Sequence, residues 1–145
     1  MAVVQRVAAA RVDIDGRTVG AIDAGLLALV CAEPGDTAVQ CARLLDKLLA
    51  LRVFDDEAGR MNRSLRDVGG GLLLVSQFTL AADTRSGNRP GFSGAAAPAV
   101  ARPLFEGLVA LARQRHAPVA AGVFGARMQL HLVNDGPVTV PLRIA

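Results

Sequence analysis

Aromatic residues are scarce in this chain of 145 residues: five Phe, no Trp and no Tyr. A broad platform for stacking single-stranded bases is therefore not written into it. Cysteine is equally sparse. Cys31 and Cys41 lack C-x-x-C spacing and have no His nearby, which argues against a zinc or dithiol motif and predicts free, buried thiols in a reducing cytoplasm. No apolar run approaches the roughly 20 residues of a membrane span. The N-terminus carries no basic stretch leading into an apolar one, so no signal peptide is expected. The two histidines, His116 and His131, have no metal-motif spacing, and no Gly-rich phosphate cradle occurs. Gly91-Phe92-Ser93-Gly94 falls short of a nucleophile elbow because Ala95 stands where the last glycine belongs. A Ser-His-Asp triad is left only to His131, with no Ser placed beside it by the sequence. A formal charge of +3 is too small to argue a nucleic-acid partner by itself.

What is present is apolar surface in regular patterns. At 52% hydrophobic and 20% charged, the chain can bury one core, and its length predicts a single domain over residues 1–145. Residues 1–31 read as strands. Val3 to Ala8 alternate, Asp15-Gly16 signals a hairpin, and Leu26 to Val30 is a continuous apolar run expected of a strand covered on both faces. Asp36 or Thr37 is placed to cap a helix to about Leu51, with Cys41, Leu44, Leu45, Leu48 and Leu49 on its inner face. Asp55-Asp56-Glu57-Ala58-Gly59 reads as a solvated turn. Leu72 to Val75 is a buried strand, residues 81–97 a loop, and 98–115 a second helix with Leu104, Leu108 and Leu111 on one face. Pro103 leaves the first turns of that helix open. Val119 to Phe124, Met128 to Val133 and Val138 to Ile144 are expected as closing strands.

Two short segments stand out. Ser76-Gln77-Phe78-Thr79-Leu80 ends a strand; by itself it reads as a strand finishing in hydroxyls. Asn134-Asp135-Gly136-Pro137-Val138-Thr139 reads as a turn between strands. A proline between strand-like runs is confined to edges, ends or bulges, and a cis Gly-Pro bond, found at only about 5–6% of X-Pro bonds, is the other reading. Together with Gln5-Arg6-Val7, Met61-Asn62, Asp67-Val68-Gly69, Ala82-Asp83-Thr84-Arg85, Arg89-Pro90, Phe92 to Ala96, Phe124-Gly125-Ala126 and Met128-Gln129, these segments resemble the D-aminoacyl-tRNA deacylase family over nearly the whole chain. Ala81, Gly91 and His131 depart from the pattern, none of them inside the two central motifs.

The resemblance implies a three-layer β/β/α fold: mostly antiparallel packed sheets, barrel-like, with two main helices on one side, working as a homodimer. It implies hydrolysis of the ester of D-aminoacyl-tRNA, and of glycine mischarged on tRNA, with a non-catalytic tRNA-binding relative as the alternative. No cofactor, metal, membrane or DNA partner is implied. Ser76, Gln77, Phe78 and Thr79 are assigned to the catalytic pocket: Phe78 near the terminal adenine, Ser76 and Gln77 around the ester, Thr79 at the floor. Gly136 and Pro137, with a cis bond, are assigned to the neighbouring subunit's pocket as the device that refuses L-residues, with Arg6 steadying them. Phe124, Met128 and Asn134 are assigned to substrate binding. Backbone N–H groups around Ser76, Gln77 and Phe78 are the expected oxyanion donors. Thr79 is the rival candidate as nucleophile, weakened by having no partnered base.

Overall fold

A computed structural model describes residues Met1–Ala145. Its first strand, β1 (Ala2–Ile14), is long enough to take two partners in succession along one edge. Residues 2–7 of β1 pair with β3 (Gly25–Val30) and residues 10–14 with β2 (Arg17–Ile22), both antiparallel. The β1–β2 turn is tight because Asp15 and Gly16 both take left-handed backbone angles, φ 50° and 77°, as a two-residue hairpin requires.

From β3 the sheet continues through β6 (Gly71–Ser76) to β7 (Val119–Ala121). These last two pairings are parallel, so the sheet is mixed, with the antiparallel pairings of β1 still in the majority, as expected. The reason is connection length. Residues 31–70, which include α1 (Ala38–Ala50), the small hairpin β4 (Phe54–Asp55) and β5 (Met61–Arg63), and α2 (Leu65–Val68), cross over between β3 and β6. The second long helix, α3 (Pro98–Arg115), crosses over between β6 and β7. Crossovers of this kind return a strand in parallel. Two glycine contacts allow the sheet to curl nearly into a barrel. A Cβ on Gly25 would stand 2.0 Å from the Gly71 carbonyl oxygen, and one on Gly20 only 2.8 Å from that of Ala121, where β2 meets β7.

The continuous apolar runs are explained by burial on both faces. Leu26, Ala28, Val30, Leu72 and Leu74 point one way, into a core capped by Leu44, Leu45, Leu48 and Leu49 of α1 and by Phe105, Leu108, Val109 and Ala112 of α3. Leu27, Leu73 and Val75 point the other way, into the curl, against Val7, Val12 and Ile22. α1 begins as expected: Thr37 and Gln40 form a reciprocal capping box. The buried face of α3 is Phe105, Leu108, Val109 and Ala112, with Leu104 and Leu111 only half-buried at its margins, so the expected stripe is corrected by a fraction of a turn. Pro103 sits inside this helix near its exposed start, where solvent can take the carbonyl it leaves free. Cys31 is buried and Cys41 half-buried, both as free thiols, so the expectation of two buried thiols holds for Cys31 alone.

The closing strands also differ. Val119 to Phe124 shortens to β7 (Val119–Ala121). The two strands expected around the second motif are one strand, β8 (Gln129–Leu142), antiparallel to β1. Its register jumps from Asn134, opposite Val7, to Thr139, opposite Gln5. Asp135 to Val138 therefore bulge out against the single residue Arg6. This is the setting a strand proline tolerates. Gly136–Pro137 is cis, as is Ala117–Pro118.

Candidate active site

The C-terminal end of β6 opens into a cleft of about 680 Å³. Its wall is formed by Ser76, Gln77 and Phe78, by Ala95 to Pro98 with Ala101 and Arg102 at the start of α3, and by Phe124, Met128 and Leu130 on the approach to and start of β8. The chain turns into the cleft because β6 runs out of partners at Ser76. The Gln77 N–H donates to the Val30 carbonyl at 2.7 Å, and Phe78–Ala81 then wind into a short 3-10 turn. The turn's hydrogen bonds start with the Leu80 N–H, which donates to the Gln77 carbonyl at 3.2 Å. The N–H groups of Phe78 and Thr79 lie ahead of that bond, in the positions a helical turn leaves without an internal acceptor. Of the expected backbone donors, Gln77 is spent on β3 and Phe78, which lines the cleft, has its N–H free of the turn.

Loop 81–97 returns a second aromatic to the site. Asp83 and Gly91 exchange backbone hydrogen bonds at 2.8 and 2.9 Å, and Arg85 pairs with the Asp83 carboxylate at 2.8 Å. The hydrogen bonds from Arg85 hold the Asp83 carboxyl below its usual pKa, so the clasp is ionised at neutral pH. It sets Phe92 edge-on to Phe78, ring centres 4.9 Å apart at 75°, a favourable aromatic geometry. Phe78 remains exposed. Across the cleft, Phe124 packs on Phe105 at 6.3 Å and carries the Arg102 guanidinium 5.0 Å above its ring centre.

The chemistry on offer is narrow. Cys31 borders the cleft, but burial pushes its thiol pKa up, so it is a protonated, poor nucleophile at neutral pH. Its Sγ lies 3.5 Å from the Ala32 carbonyl and 3.7 Å from that of Phe78. Neither histidine lines the cleft. His116 caps the end of α3 with Nε2 2.7 Å from the Gly70 carbonyl oxygen. His131 lies opposite Arg11 on the β1–β8 ladder, 3.4 Å from the Asp13 carboxylate. No three His, Cys, Asp or Glu side chains gather as a ligand set. Thr79 is exposed, and its hydroxyl accepts from the Gln77 side-chain amide. It does not line the cleft of the isolated chain, so the floor position expected for it is not seen there.

The remaining assigned residues form a second cluster. Arg6, its side chain 11% exposed, donates from Nη1 to the Val53 carbonyl at 2.8 Å and from Nε to the Asp135 carbonyl at 3.0 Å. Asn134 closes the bulge from within: its Oδ1 accepts from the Val138 N–H at 3.0 Å and its Nδ2 donates to the Thr139 hydroxyl at 2.9 Å. Both polar ends of Asn134 are thus used on its own segment. Gly136 and Pro137 are exposed at the crest. This cluster lies far from the cleft of its own chain. Arg6 is in register with Leu26 and Leu72. From the bulge to Ser76 is therefore three strand spacings across and four residues along, roughly 15–20 Å at the usual sheet spacings.

The sequence reading did not single out Ala95 to Pro98, Ala101, Arg102 or Leu130 as lining residues. The first three mark only a loop and a helix start in sequence, and their role comes from α3 beginning beside β6.

The family model and the curated relatives agree on one family. A family model described as D-Tyr-tRNA(Tyr) deacylase matches residues 3–143. A D-aminoacyl-tRNA deacylase of Paracidovorax citrulli (strain AAC00-1) is 67% identical over 145 residues, covering 100% of this chain and 94% of that protein. One from Variovorax paradoxus (strain S110) is 65% identical over 144 residues, covering 99% of each. Among solved structures, the c-Myc DNA Unwinding Element Binding Protein superimposes with a TM-score of 0.93 at 37% identity, over 99% of this chain and 98% of that one. A structure described as a probable eukaryotic D-amino acid tRNA deacylase superimposes with a TM-score of 0.78 at 16% identity, over 96% of each chain, a likeness of fold alone. With the family model and relatives of this identity spanning the chain almost end to end, it belongs to the D-Tyr-tRNA(Tyr) deacylase family.

Proposed function

We propose that this chain, as one domain, hydrolyses the ester that joins a D-amino acid to the terminal ribose of tRNA, releasing the free amino acid and tRNA. The observation that carries the reading is the cleft at Ser76–Phe78, set in a chain with full-length likeness to D-aminoacyl-tRNA deacylases. Phe78 and Phe92 offer an aromatic corner for the adenine, and the ester lies toward Ser76 and Gln77. Water attacks the carbonyl carbon, the Phe78 N–H group receives the developing oxyanion, and the C–O bond to the ribose breaks as the ribose oxygen takes a proton. Preorganised donors of this kind stabilise the charge without reorganising at the moment of reaction. No side chain at the cleft is a strong base, so the ribose hydroxyl next to the ester is the group that helps activate water.

A second copy of the chain supplies the enantiomer filter. Gly136–Pro137 stands too far from its own cleft to touch a substrate there. Yet it is exposed, rigidly held by Arg6 and Asn134, and carried on a 14-residue strand whose outer edge has no partner. Such an edge is a template for a neighbour. Inserted into the neighbour's cleft, the two carbonyls grip the substrate's α-amino group and occupy the side on which an L side chain projects. Glycine has no side chain to refuse and is hydrolysed too. Such a protein acts in the cytoplasm, where free thiols such as Cys31 and Cys41 persist.

The test is single-turnover deacylation with two changes. tRNA ending in 2′-deoxyadenosine, charged at the 3′ position with a D-residue, is expected to react about a hundred- to a thousand-fold more slowly, the usual loss for one preorganised group at such a centre. Thr79→Ala is expected to keep much of its rate. A dead Thr79→Ala that still binds tRNA, beside a deoxy substrate cleaved at full speed, restores Thr79 as nucleophile.

A further inference from the structure

We propose that Arg102 binds the phosphate on the 5′ side of the nucleotide whose ribose carries the scissile ester, an inference that rests on the tRNA-ester reading above. Arg102 is the one charged side chain lining a cleft otherwise walled by apolar, small and amide groups. Its guanidinium is held rather than free: it lies 5.0 Å over the Phe124 ring centre, a cation–π contact that restrains it. Gly125 lies beside it, where a Cβ would stand 3.4 Å from Nη2, an ordinary contact distance. Its ion pair with Glu106, one turn on, is long at 3.7 Å, and its side chain is 54% exposed. A guanidinium has five N–H donors in a planar fork, and here only the long contact to Glu106 draws on them.

A second observation reinforces the choice of an anion. Arg102 stands in the second turn of α3, an 18-residue helix whose first residues, with Ala95 to Pro98 before and within them, line the same cleft. The N-cap is Ala97, with no side-chain cap; Pro98 has no N–H and Val100 and Ala101 donate to the Ala97 carbonyl, which leaves the Ala99 N–H without a helical partner. The positive end of the helix and the guanidinium therefore sum at one place. A nucleoside whose base lies against Phe78 and Phe92 has its ester-bearing hydroxyls toward Ser76, so its 5′ oxygen leads out of the cleft. A phosphodiester on that oxygen meets a planar fork suited to two of its oxygens. Glu106 opposes this only weakly, because it lies a turn farther from the helix start and is itself 61% exposed.

The experiment compares two small substrates that differ only in that phosphate: the 3′-D-aminoacyl ester of adenosine and that of adenosine 5′-monophosphate. The parent protein is expected to favour the phosphorylated ester by roughly ten- to a hundred-fold in kcat/KM, the scale of a charge-assisted pair of hydrogen bonds. In Arg102→Ala and Arg102→Gln that ratio is expected to collapse toward one, mainly through KM. Arg102→Lys, which keeps the charge but not the fork, is expected to restore part of it. Arg113→Ala, at the far end of α3, serves as the control and keeps the parental ratio. A parent protein that cleaves both esters equally well overturns the assignment while leaving the functional reading intact. An Arg102→Ala that slows both esters by the same factor makes the residue a mere support for Phe124, and also overturns it. A parent protein that cleaves neither ester nor the full D-aminoacyl-tRNA removes the functional reading and this assignment together.

Discussion

Removing Arg6 tests how the Gly136–Pro137 bulge is held. Arg6→Met keeps much of the apolar stem and deletes the donors to the Val53 and Asp135 carbonyls, 2.8 and 3.0 Å away. Hydrogen bonds from a charged donor are worth about 1.5–3 kcal/mol each, and an abandoned buried acceptor costs its desolvation besides. The Val53 bond is part-buried and carries most of that value, whereas the Asp135 bond is exposed and water can replace it. The ion pairs to Asp55 and Asp135, at 3.4 and 3.8 Å, involve carboxylates more than half exposed and add at most about 1 kcal/mol. The total is a loss of about 2–4 kcal/mol, a fall in Tm of roughly 5–12 °C for a chain of this size. Equilibrium urea unfolding reads it as a lower midpoint at unchanged slope. Deacylation of D-aminoacyl-tRNA, assayed well below the new midpoint, is expected to fall more than the folded fraction does, because the bulge loses one of its two clasps. Arg6→Lys, which reaches one carbonyl at a time, falls between. A midpoint within about 0.5 kcal/mol of the parent's, an ordinary surface-substitution effect, with parental activity, refutes the reasoning.

Gly25→Ala places a Cβ 2.0 Å from the Gly71 carbonyl oxygen, on rigid backbone; it is expected to cost more than about 3 kcal/mol, beyond ordinary overpacking, and calorimetry showing a near-parental Tm would count against the close β3–β6 approach. Asp67 accepts from the Ser64 N–H at 2.8 Å, and that bond holds its carboxyl below the usual value of 3.8. Its contribution to stability is therefore fully present above that value and is lost as pH falls through the lower, folded one. Asp67→Asn is expected to shrink the drop in unfolding free energy between about pH 6 and about pH 3, and an unchanged acid limb would contradict the assignment. Light scattering at assay concentration is expected to give twice the mass of the 15.0 kDa chain, whereas a fully active monomer would rule out sites completed across copies.

The strands and helices were legible where local rules and burial point the same way. The Asp15-Gly16 hairpin, the Thr37 cap and the runs at Leu26 and Leu72 appear in the structure essentially as read. Parallel pairing of β3 with β6 was not legible, because a strand covered on both faces looks the same whichever way its neighbour runs. The buried side of α3 was misplaced because Phe105 and Val109, not Leu104 and Leu111, face the sheet, and the helix's apolar residues nearly encircle it. At the site, the motif at Ser76 to Phe78 marked one wall of the cleft. Arg102 and Ala97 escaped notice because their place depends on where α3 begins in space, and an alanine carries no chemical signal; Ala95 and Ala96 were marked by the resemblance but not as lining residues. The bulge at Asp135 to Val138 was half legible: proline excluded a regular ladder, but only the pairing of β8 with β1 shows Arg6 holding it.

The most direct measurement is deacylation of one tRNA charged in parallel with the D- and the L-enantiomer of the same amino acid, and with glycine, by the purified protein at limiting concentration. The D-ester and the glycyl ester are expected to be hydrolysed and the L-ester to survive, with a difference in kcat/KM of at least about a hundred-fold, the discrimination a rigid clash gives over a mere loss of fit. Equal hydrolysis of both enantiomers, or of neither, would contradict a cleft that reads chirality by excluding the L side chain.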